Sequence, residues 1–248
     1  NGRYHAMFAE AAGKAGIGET SDYNGAEPEG ICPPDRTIGG GRRSSTSRMF
    51  LRPAENRPNL TIETGALAHR VVVQNGRAAG VEFGQDGASK TARANKEVVL
   101  SGGSYNSPQL LLLSGIGPAD DLKAMDIAPI QDLPGVGHNS QDHLAVTSAF
   151  HCLKPVTLNR LTQPLKKLGV GLQWLLTRSG IGASNIWEMG GLVSGNQAAV
   201  HPNLQYHFTP VYSEWDGRKI RLQQGYQLNC DQLRPKSKGE VKLRSRDP

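Results

Sequence analysis

The chain has 248 residues with a net charge of +6, and 37% of the residues are hydrophobic. That length supplies one large domain or two ordinary ones, and the 30 glycines are spread over many turns, which excludes collagen-like and grossly disordered chains. The 28 basic residues are interleaved with 22 acidic ones, so a solvated basic surface is favoured over nucleic-acid binding. No apolar run approaches the roughly 20 residues of a membrane-spanning helix.

The three cysteines, Cys32, Cys152 and Cys230, lie far apart in the sequence. An odd, sparse set without CxxC spacing argues against a disulfide-stabilised scaffold and against a zinc site, and the histidines show no metal-ligand spacing either. We therefore predict no metal site and a reducing, cytoplasmic location, with membrane association of a longer protein as the alternative. The chain opens without a Met or a signal-like stretch and stops inside a strand-like pattern, so we expect an interior part of a longer protein.

The first half of the chain alternates helical and strand-like patterns. Apolar spacing predicts helices over about 2–15, 44–54 and 119–125, and β-branched runs predict strands over 60–64, 71–74, 77–83 and 97–100. Asn75-Gly76 separates two of these strands, and this pair is typical of a two-residue hairpin because both residues tolerate positive φ.

The strand at 97–100 runs into Gly102 and Gly103 and then into a further helix. Glycines at the carboxyl end of a strand let a ligand approach the backbone closely, and the helix that follows offers free N–H groups to an anion. Many such turns bind nothing, so spacing alone favours a structural role.

That helix has well-marked ends in the sequence. Ser107 is predicted to cap it, Pro108 fits its first turn, and the apolar residues at 110–113 are predicted to pack it. Gly115 is expected to end it in the left-handed conformation.

The second half of the chain predicts mostly antiparallel strands after one helix. The helix covers about 164–177, and the strands cover 191–193, 204–211, 226–233 and 240–246, the last two joined by a loop at 235–239. We therefore predict an α/β chain of mixed α+β character with a domain boundary near residue 150.

The run Gly103–Gly117, which reads GSYNSPQLLLLSGIG, resembles a signature of the glucose–methanol–choline (GMC) family of FAD-dependent oxidoreductases. Other segments resemble the same family in the same order, namely GRRSST at 41–46, RPNL at 57–60, AGVEF at 79–83, LPGVG at 133–137, QDH at 141–143 and LRSRDP at 243–248. The resemblance covers essentially the whole chain and is closest to choline and other alcohol dehydrogenases.

The resemblance implies part of a Rossmann-like FAD-binding domain over 1–150 and part of an antiparallel-sheet substrate-binding domain over 151–248. It implies an enzyme that binds FAD and oxidises choline or another alcohol by hydride transfer to the flavin. The family's GxGxxG phosphate loop and its catalytic His have no counterpart in the chain, so no catalytic residue is assigned within it. The portion by itself is expected to be inactive.

Four residues are candidates for contact with FAD through the resemblance. Ala68 aligns with a strand residue whose backbone hydrogen-bonds the adenine, and a plain core position is the equal alternative. Gly102 and Gly103, followed by Ser104, resemble the turn at which a strand end passes the adenosine half of the flavin.

Three further residues are candidates for substrate binding. Glu188 aligns with a carboxylate that pairs with a quaternary ammonium, and Trp187 beside it suits a cation through its π-face. A Glu that pairs with a nearby Arg is the structural alternative. His207 aligns with a strand that leads toward the substrate cavity, although a core His between two aromatic residues is the more common situation.

Gln224 stands where choline-type members commonly have His. Gln donates a hydrogen bond to an alkoxide but carries no positive charge near neutral pH, which leaves a neutral alcohol open as the substrate. A non-catalytic binding or structural module that retains the family core is the alternative to an enzyme. The expected partner is a small alcohol together with an unassigned electron acceptor, without nucleic acid and without a transmembrane segment.

Overall fold

The structure is a computed structural model that describes residues 3–196 and 198–248. The chain forms two compact units. Unit 1 combines the residues up to Ala54 with His143–Pro235, and unit 2 combines Glu55–Asp142 with Lys236–Pro248. The predicted boundary near 150 lies close to one of the three crossings between units, but the first 54 residues share a unit with the second half of the chain. The assignment of 1–150 to cofactor binding stays a prediction.

The helices in chain order are α1 (Arg3–Lys14), α2 (Arg52–Ala54), α3 (Gly103–Leu113), α4 (Ala119–Ala124) and α5 (Pro164–Thr177). A π-helical turn at Ser47–Leu51 precedes α2, and 3₁₀ turns at Leu158–Thr162 and Ile181–Ala183 flank α5. The strands are β1 (Gly30–Cys32), β2 (Ile38–Gly39), β3 (Arg42–Arg43), β4 (Leu67–Gln74), β5 (Arg77–Gln85), β6 (Ala88–Arg93), β7 (Ile116–Gly117), β8 (Gln131–Asp132), β9 (His138–Ser140), β10 (Leu144–His151), β11 (Met189–Val193), β12 (Leu204–Thr209), β13 (Tyr212–Trp215), β14 (Ile220–Gln223), β15 (Gly225–Gln232) and β16 (Gly239–Glu240).

Unit 1 is built on a five-stranded antiparallel sheet in the order β1-β11-β12-β15-β10. Side chains alternate between the two faces of a strand, and the register places apolar residues together on one face. Phe208 of β12, Tyr226 of β15 and Phe150 of β10 form a row there, with ring centroids 5.9 Å and 5.2 Å apart along it.

Helix α1 covers that apolar face because its own apolar residues recur at helical spacing. Phe8 packs against Phe208 with ring centroids 5.2 Å apart, and Ala12 is buried with Ile31 and Met189 in one cluster. The opposite face of the sheet is left with the polar members of each strand, and this polar face carries the candidate substrate residues.

Unit 2 contains the predicted hairpin. β4 and β5 pair around Asn75 and Gly76, whose φ values are +51° and +74°. Positive φ at both central residues matches the right-handed twist of the strands, so this local prediction is confirmed. β6 adds a third strand to this sheet.

Helix α3 packs beside β4 but begins five residues earlier than predicted, with Gly102 at the cap position instead of Ser107. Ser107 is therefore not its cap, and its hydroxyl instead accepts the N–H of Gly102 at 3.0 Å. Pro108 lies in the second turn, where the helix forgoes one hydrogen bond to the carbonyl of Ser104. Gly115 follows the helix with φ +76°, as predicted.

Three predicted strands are wrong or shortened in the described residues. Residues 60–64 and 97–100 form no strand, since no neighbouring strand pairs with their backbone. The final strand is reduced to β16, which pairs with β9 and not with β15. Both edges of β15 are already occupied, by β12 and by β10. The sequence patterns were local and did not reveal β10, β6 or the β13–β14 hairpin.

No helix in the described part of the chain is long and apolar enough to cross a membrane.

Candidate functional site

The polar face of the unit 1 sheet gathers ionisable and amide side chains in adjacent strands. His207 of β12 lies opposite Asn229 of β15, and Asn229 lies opposite Thr147 of β10. The hydroxyl of Thr147 donates to Oδ1 of Asn229 at 2.7 Å. Asp231, two residues along β15, points to the same face.

His207 is held between a carboxylate and an indole. Its Nε2 lies 3.4 Å from Oδ2 of Asp231, and its ring meets Trp187 edge-on with centroids 4.8 Å apart. Burial lowers the pKa of His207 because the charged imidazolium loses hydration, and the charge of Asp231 opposes that shift. The imidazole is therefore neutral near pH 7 and available as a hydrogen-bond donor or acceptor.

Glu188 immediately precedes β11, and its backbone N–H donates to the carbonyl of Phe208. Its carboxylate is mostly buried, and Oε2 lies 3.9 Å from Nη2 of Arg36. The Arg36 guanidinium also donates to the hydroxyl of Ser184 and to the carbonyl of Trp187, both at 3.3 Å. The structural alternative given above, in which Glu188 pairs with an Arg, is thus present, and the Arg is Arg36. Trp187, the predicted partner of a substrate cation, lies beside the same carboxylate in the sequence.

Gln224 is separated from this group. It is exposed, and its side-chain Nε2 donates to the backbone carbonyl of Cys152 at 2.6 Å. The backbone carbonyl of Gln224 in turn accepts the N–H of Cys152 at 3.1 Å. It precedes β15, five residues before Asn229, which corresponds to about 16 Å along an extended strand. The structure brings Glu188 and His207 together through Trp187. Gln224 lies past the same end of the sheet as Glu188, but on β15, which is separated from β11 by β12.

The candidate FAD residues lie in unit 2. Ala68 of β4 and Gly102 line one cavity of about 390 Å³, together with Leu67, Val81 and the segment at 98–101. β4 is an edge strand of its sheet, and Leu67 and Val99 expose more than half of their surface. An apolar wall beside the free backbone edge of a strand suits a purine, which needs a flat contact and hydrogen bonds at its rim. The residues present therefore fit the adenine end of FAD.

Gly102 and Gly103 also have local reasons to be glycine. A Cβ on Gly102 would lie 3.0 Å from Cβ of Asn106. Gly103 takes φ +81°, a backbone conformation that residues with a side chain rarely adopt, although a Cβ there would meet open space. Ser104 is exposed in the first turn of α3, where backbone N–H groups have no partner within the helix.

Arg36, Asn229 and Asp231 are residues of this region that the sequence interpretation missed. The two on β15 follow a period-two pattern in which Gln227, Asn229 and Asp231 alternate with apolar residues, so the pattern could have revealed them. Arg36 follows β1 and reaches a segment that is about 150 residues away in the sequence, for which no local signal exists. Among the described residues, no cluster of His, Cys, Asp and Glu could hold a metal ion.

Comparison with known proteins gives one family and one group of relatives. Residues 1–145, more than half of the chain, match the family model of the GMC oxidoreductases. The chain is 43% identical to mitochondrial choline dehydrogenase of Mus musculus over 98% of its own length and 41% of the relative's. It is 43% identical to oxygen-dependent choline dehydrogenase of Ectopseudomonas mendocina over 100% of its own length and 44% of the relative's.

Solved structures share the fold. Formate oxidase of Aspergillus oryzae matches with a TM-score of 0.79 and 25% identity, over 88% of this chain and 43% of that one. Pyridoxine 4-oxidase from Mesorbium loti matches with a TM-score of 0.80 and 24% identity, over 99% of this chain and 45% of that one. The predicted mixed fold and family resemblance are confirmed. The chain spans about two fifths of the length of the curated relatives it matches.

Proposed function

Because the chain belongs to the GMC oxidoreductase family of FAD-dependent flavoproteins, we propose that it is part of an enzyme that oxidises an alcohol by hydride transfer to FAD. The observation that carries the proposal is 43% identity to choline dehydrogenases along essentially the whole chain. A non-catalytic module would need far less of the family's sequence to retain its core, so the enzyme is the better-supported function.

In this proposal, unit 1 supplies substrate contacts from the polar face of its sheet. The Glu188 carboxylate would bind a positively charged substrate, with Trp187 offering a π-face beside it. Neutral His207 would accept or donate a hydrogen bond at the substrate hydroxyl, with Asp231 fixing its ring. Gln224 would contribute only if substrate extended from β11 across β12 to the start of β15, and its amide is already engaged by the carbonyl of Cys152.

Unit 2 would supply contacts to the adenine half of FAD through Ala68, Gly102, Gly103 and Ser104. The exposed apolar wall and the free edge of β4 support this assignment. When bound, FAD supplies the hydride acceptor, while the protein orients the cofactor and sets its electrostatics.

Choline is the leading substrate within this proposal, and a neutral alcohol is the alternative. The names of the relatives favour choline, whereas Gln224 and the Arg36–Glu188 pair favour a substrate of lower charge, because Arg36 already satisfies part of the carboxylate. A cytoplasmic location is retained as a proposal, and the mouse relative is named as mitochondrial.

The experiment is Glu188→Gln in the full-length enzyme, assayed with choline and with a neutral alcohol of similar size. Loss of a partly desolvated charge pair is expected to raise KM for choline about ten- to a hundredfold and to change KM for the neutral alcohol little. Glu27→Gln is the matched control, because Glu27 is an exposed carboxylate of the same unit and its loss changes the net charge equally.

An equal rise in KM for both alcohols would make Glu188 a structural partner of Arg36 and remove it from the substrate site. If the wild-type enzyme oxidises the neutral alcohol but not choline, the neutral alcohol replaces choline as the proposed substrate. Absence of flavin-dependent alcohol oxidation from the full-length protein would overturn the proposed function as a whole.

A further inference from the structure

A cavity of about 450 Å³ with mostly polar walls lies in unit 1, between the β2–β3 hairpin and the segment that leads into β11. We call it the arginine pocket and define it by five of the residues that line it, namely Arg42, Arg43, Ser184, Asn185 and Trp187. The candidate substrate residues Glu188 and His207 do not line it. The pocket is therefore a second candidate site in the same unit.

Both walls of the arginine pocket rest on helix α5. The indole N–H of Trp174 donates to the carbonyl of Gly41 at 2.7 Å, which fixes the β2–β3 hairpin. On the other wall, a Cβ on Gly182 would lie only 3.1 Å from Cβ of Trp174, so the 3₁₀ turn there packs closely on the same residue. Because contacts within the unit hold both walls, the pocket is formed before a ligand binds, which lowers the entropic cost of binding.

The arginines of the pocket have no acidic partner. Neither Arg42 nor Arg43 lies within ion-pair distance of a carboxylate in the described part of the chain, in contrast to Arg36, which lies beside Glu188. Residues 36–54, which contain the β2–β3 hairpin, include five Arg and no Asp or Glu. The hairpin therefore brings positive charge to the pocket without a counter-charge of its own.

The acidic residues nearest in sequence to the two walls have other partners. Oδ2 of Asp35 accepts a hydrogen bond from the side-chain amide of Asn24 at 2.8 Å. Oε2 of Glu188 lies 3.9 Å from Nη2 of Arg36. Neither carboxylate lines the pocket. The pocket thus keeps an excess of positive charge, and a concave surface of one sign attracts ligands of the opposite sign.

The neutral side chains of the pocket present hydrogen-bond donors. The Ser184 hydroxyl oxygen accepts from Nη1 of Arg36 at 3.3 Å and from the N–H of Ile186 at 3.1 Å, so its own hydrogen is left to donate. Oδ1 of Asn185 accepts the N–H of Trp187 at 3.3 Å, and the amide NH₂ of Asn185 has no partner among the described residues. Acceptors are satisfied inside the protein while donors remain, which is the complement of an oxyanion.

The arginine pocket adjoins the candidate substrate residues through Trp187. This residue lines the pocket, its ring meets His207 edge-on, and its backbone carbonyl accepts a hydrogen bond from Arg36. An anion in the pocket is therefore either a separate ligand or the anionic end of an alcohol whose hydroxyl lies near His207.

We propose that the arginine pocket binds an oxyanion, a phosphate or a carboxylate. Arg42 and Arg43 supply the charge, and the hydroxyl of Ser184 and the amide of Asn185 supply neutral donors. A neutral ligand would leave the guanidinium groups without a counter-charge, and a cation would be repelled by them. Anion binding at this place does not depend on the proposed alcohol oxidation.

The test is isothermal titration calorimetry of the FAD-loaded full-length enzyme with inorganic phosphate at low ionic strength. The wild type is expected to bind phosphate, and Arg43→Gln is expected to weaken binding about tenfold, because one charge-assisted contact is lost. Arg43 is exposed and forms no side-chain hydrogen bond among the described residues, so its replacement spares the fold. Arg218→Gln is the control, since it removes the same charge from another exposed part of unit 1.

Asn185→Asp is the sharper variant. It keeps the oxygen that accepts the N–H of Trp187 and replaces the donating NH₂ with a negative charge, so it is expected to weaken phosphate binding by more than about tenfold. Asn196→Asp is its matched control, because Asn196 is exposed and its Oδ1 accepts the N–H of Ala198 at 3.1 Å in the same kind of turn. Thermal unfolding of both variants checks that the fold is kept.

A second assay identifies the source of the anion. The wild-type and Asn185→Asp full-length enzymes are compared with γ-hydroxybutyrate and with n-butanol, alcohols that differ in a carboxylate. A loss of kcat/KM of at least about tenfold that is confined to γ-hydroxybutyrate makes the anion part of the alcohol. If the variant changes neither value, or if the enzyme does not oxidise γ-hydroxybutyrate, the pocket binds a separate anion.

Three results would overturn the proposal. They are absence of phosphate binding by the wild type, binding that both Arg43→Gln and Asn185→Asp leave unchanged, and binding that the two control variants weaken equally. Each of them would leave the proposed alcohol oxidation in place, because Glu188→Gln tests that function with a different residue and a different measurement.

Discussion

The protonation of His207 depends on two opposing neighbours. Burial disfavours its charged form and lowers its pKa, while Asp231, 3.4 Å away, favours the charged form. Asp231→Asn removes only the second influence, so it is expected to lower the pKa of His207 further. NMR titration of the imidazole in the wild type and in the variant measures this, and an unchanged or raised pKa in the variant would contradict it.

The same shift has a consequence for stability. The pKa of His207 in the folded chain lies below its unfolded value of about 6.5, so the unfolded chain takes up this proton first as the pH falls. Its contribution to stability is therefore complete above about pH 6.5 and is lost as the pH falls from there toward the folded pKa. His207→Gln should flatten the decline of the urea midpoint between about pH 7.5 and 5.5. His201→Gln, at an exposed position of the same unit, is the control.

Individual site residues were predictable only where they lie within a segment that resembles the family or within a strand that the sequence pattern predicts. His207 stands in a strand that the sequence predicts, whereas Glu188 immediately precedes β11 and was assigned through the family resemblance. The structure places the two near each other through Trp187. Arg36 was not predictable, because its contacts with Ser184, Trp187 and Glu188 join segments that are far apart in the chain. No pattern local to residue 36 distinguishes this Arg from the others.

Ser114 links helix α3 to the sheet of unit 2. It is buried directly after the helix, its hydroxyl accepts the backbone N–H of Val71 in β4 at 2.8 Å, and it donates to the carbonyl of Leu110 at 2.5 Å. Ser114 belongs to the stretch that resembles the family signature, and its contacts give this position a structural reason. The hydroxyl satisfies a strand N–H that would otherwise be buried without an acceptor.

Ser114→Ala is expected to lower the free energy of unfolding by about 1–3 kcal/mol, because the N–H of Val71 loses its partner. Ser104→Ala in the first turn of α3 removes an exposed hydroxyl and should cost much less. Urea denaturation of both variants compares them. If both variants lose little and equal unfolding free energy, water or a shifted backbone carbonyl accepts the N–H of Val71 in place of the Ser114 hydroxyl.

Elements whose signals are local were predicted well, and those that depend on distant partners were not. Helix α5 has its predicted bounds, and the Asn75-Gly76 hairpin forms as expected, because caps, turns and apolar spacing lie within the element itself. β10 was missed although it pairs with β15 along all eight of its residues. Leu144, Val146 and Phe150 recur at period two, but Ser148 interrupts this series and the alanines of the other face are themselves apolar, so the alternation is weak.

At the scale of the whole chain, we predict that these 248 residues expressed alone do not retain FAD. The chain contains no GxGxxG loop, whose backbone N–H groups grip the pyrophosphate, and an adenine-side wall cannot replace them. Gel filtration followed by an absorbance spectrum measures retained flavin, with the full-length protein as the positive control. A yellow chain with stoichiometric flavin would show that unit 2 binds the cofactor by itself.

The arrangement in two units was only partly foreseen. A change from mixed elements to antiparallel strands suggested a division near residue 150, and a crossing lies at 142–143. The return of the first 54 residues to unit 1 was not predictable, because β1 pairs with β11 about 160 residues later. The family resemblance identified the chain as a GMC oxidoreductase but did not reveal that β1 pairs with β11.

This discontinuity sets an order of events during synthesis on the ribosome. Helix α1 and β1 emerge long before β11, β12 and β15, which provide the surface that α1 covers. At about 5–20 residues per second the delay is on the order of ten seconds or more. Unit 2 can form its hairpin sheet in that interval from residues close in sequence, whereas Phe8 still lacks Phe208 and Ala12 still lacks Met189. We therefore expect nascent chains to expose the side of α1 that packs on β11 and β12 for the whole interval, and a chaperone that covers this helix would protect them.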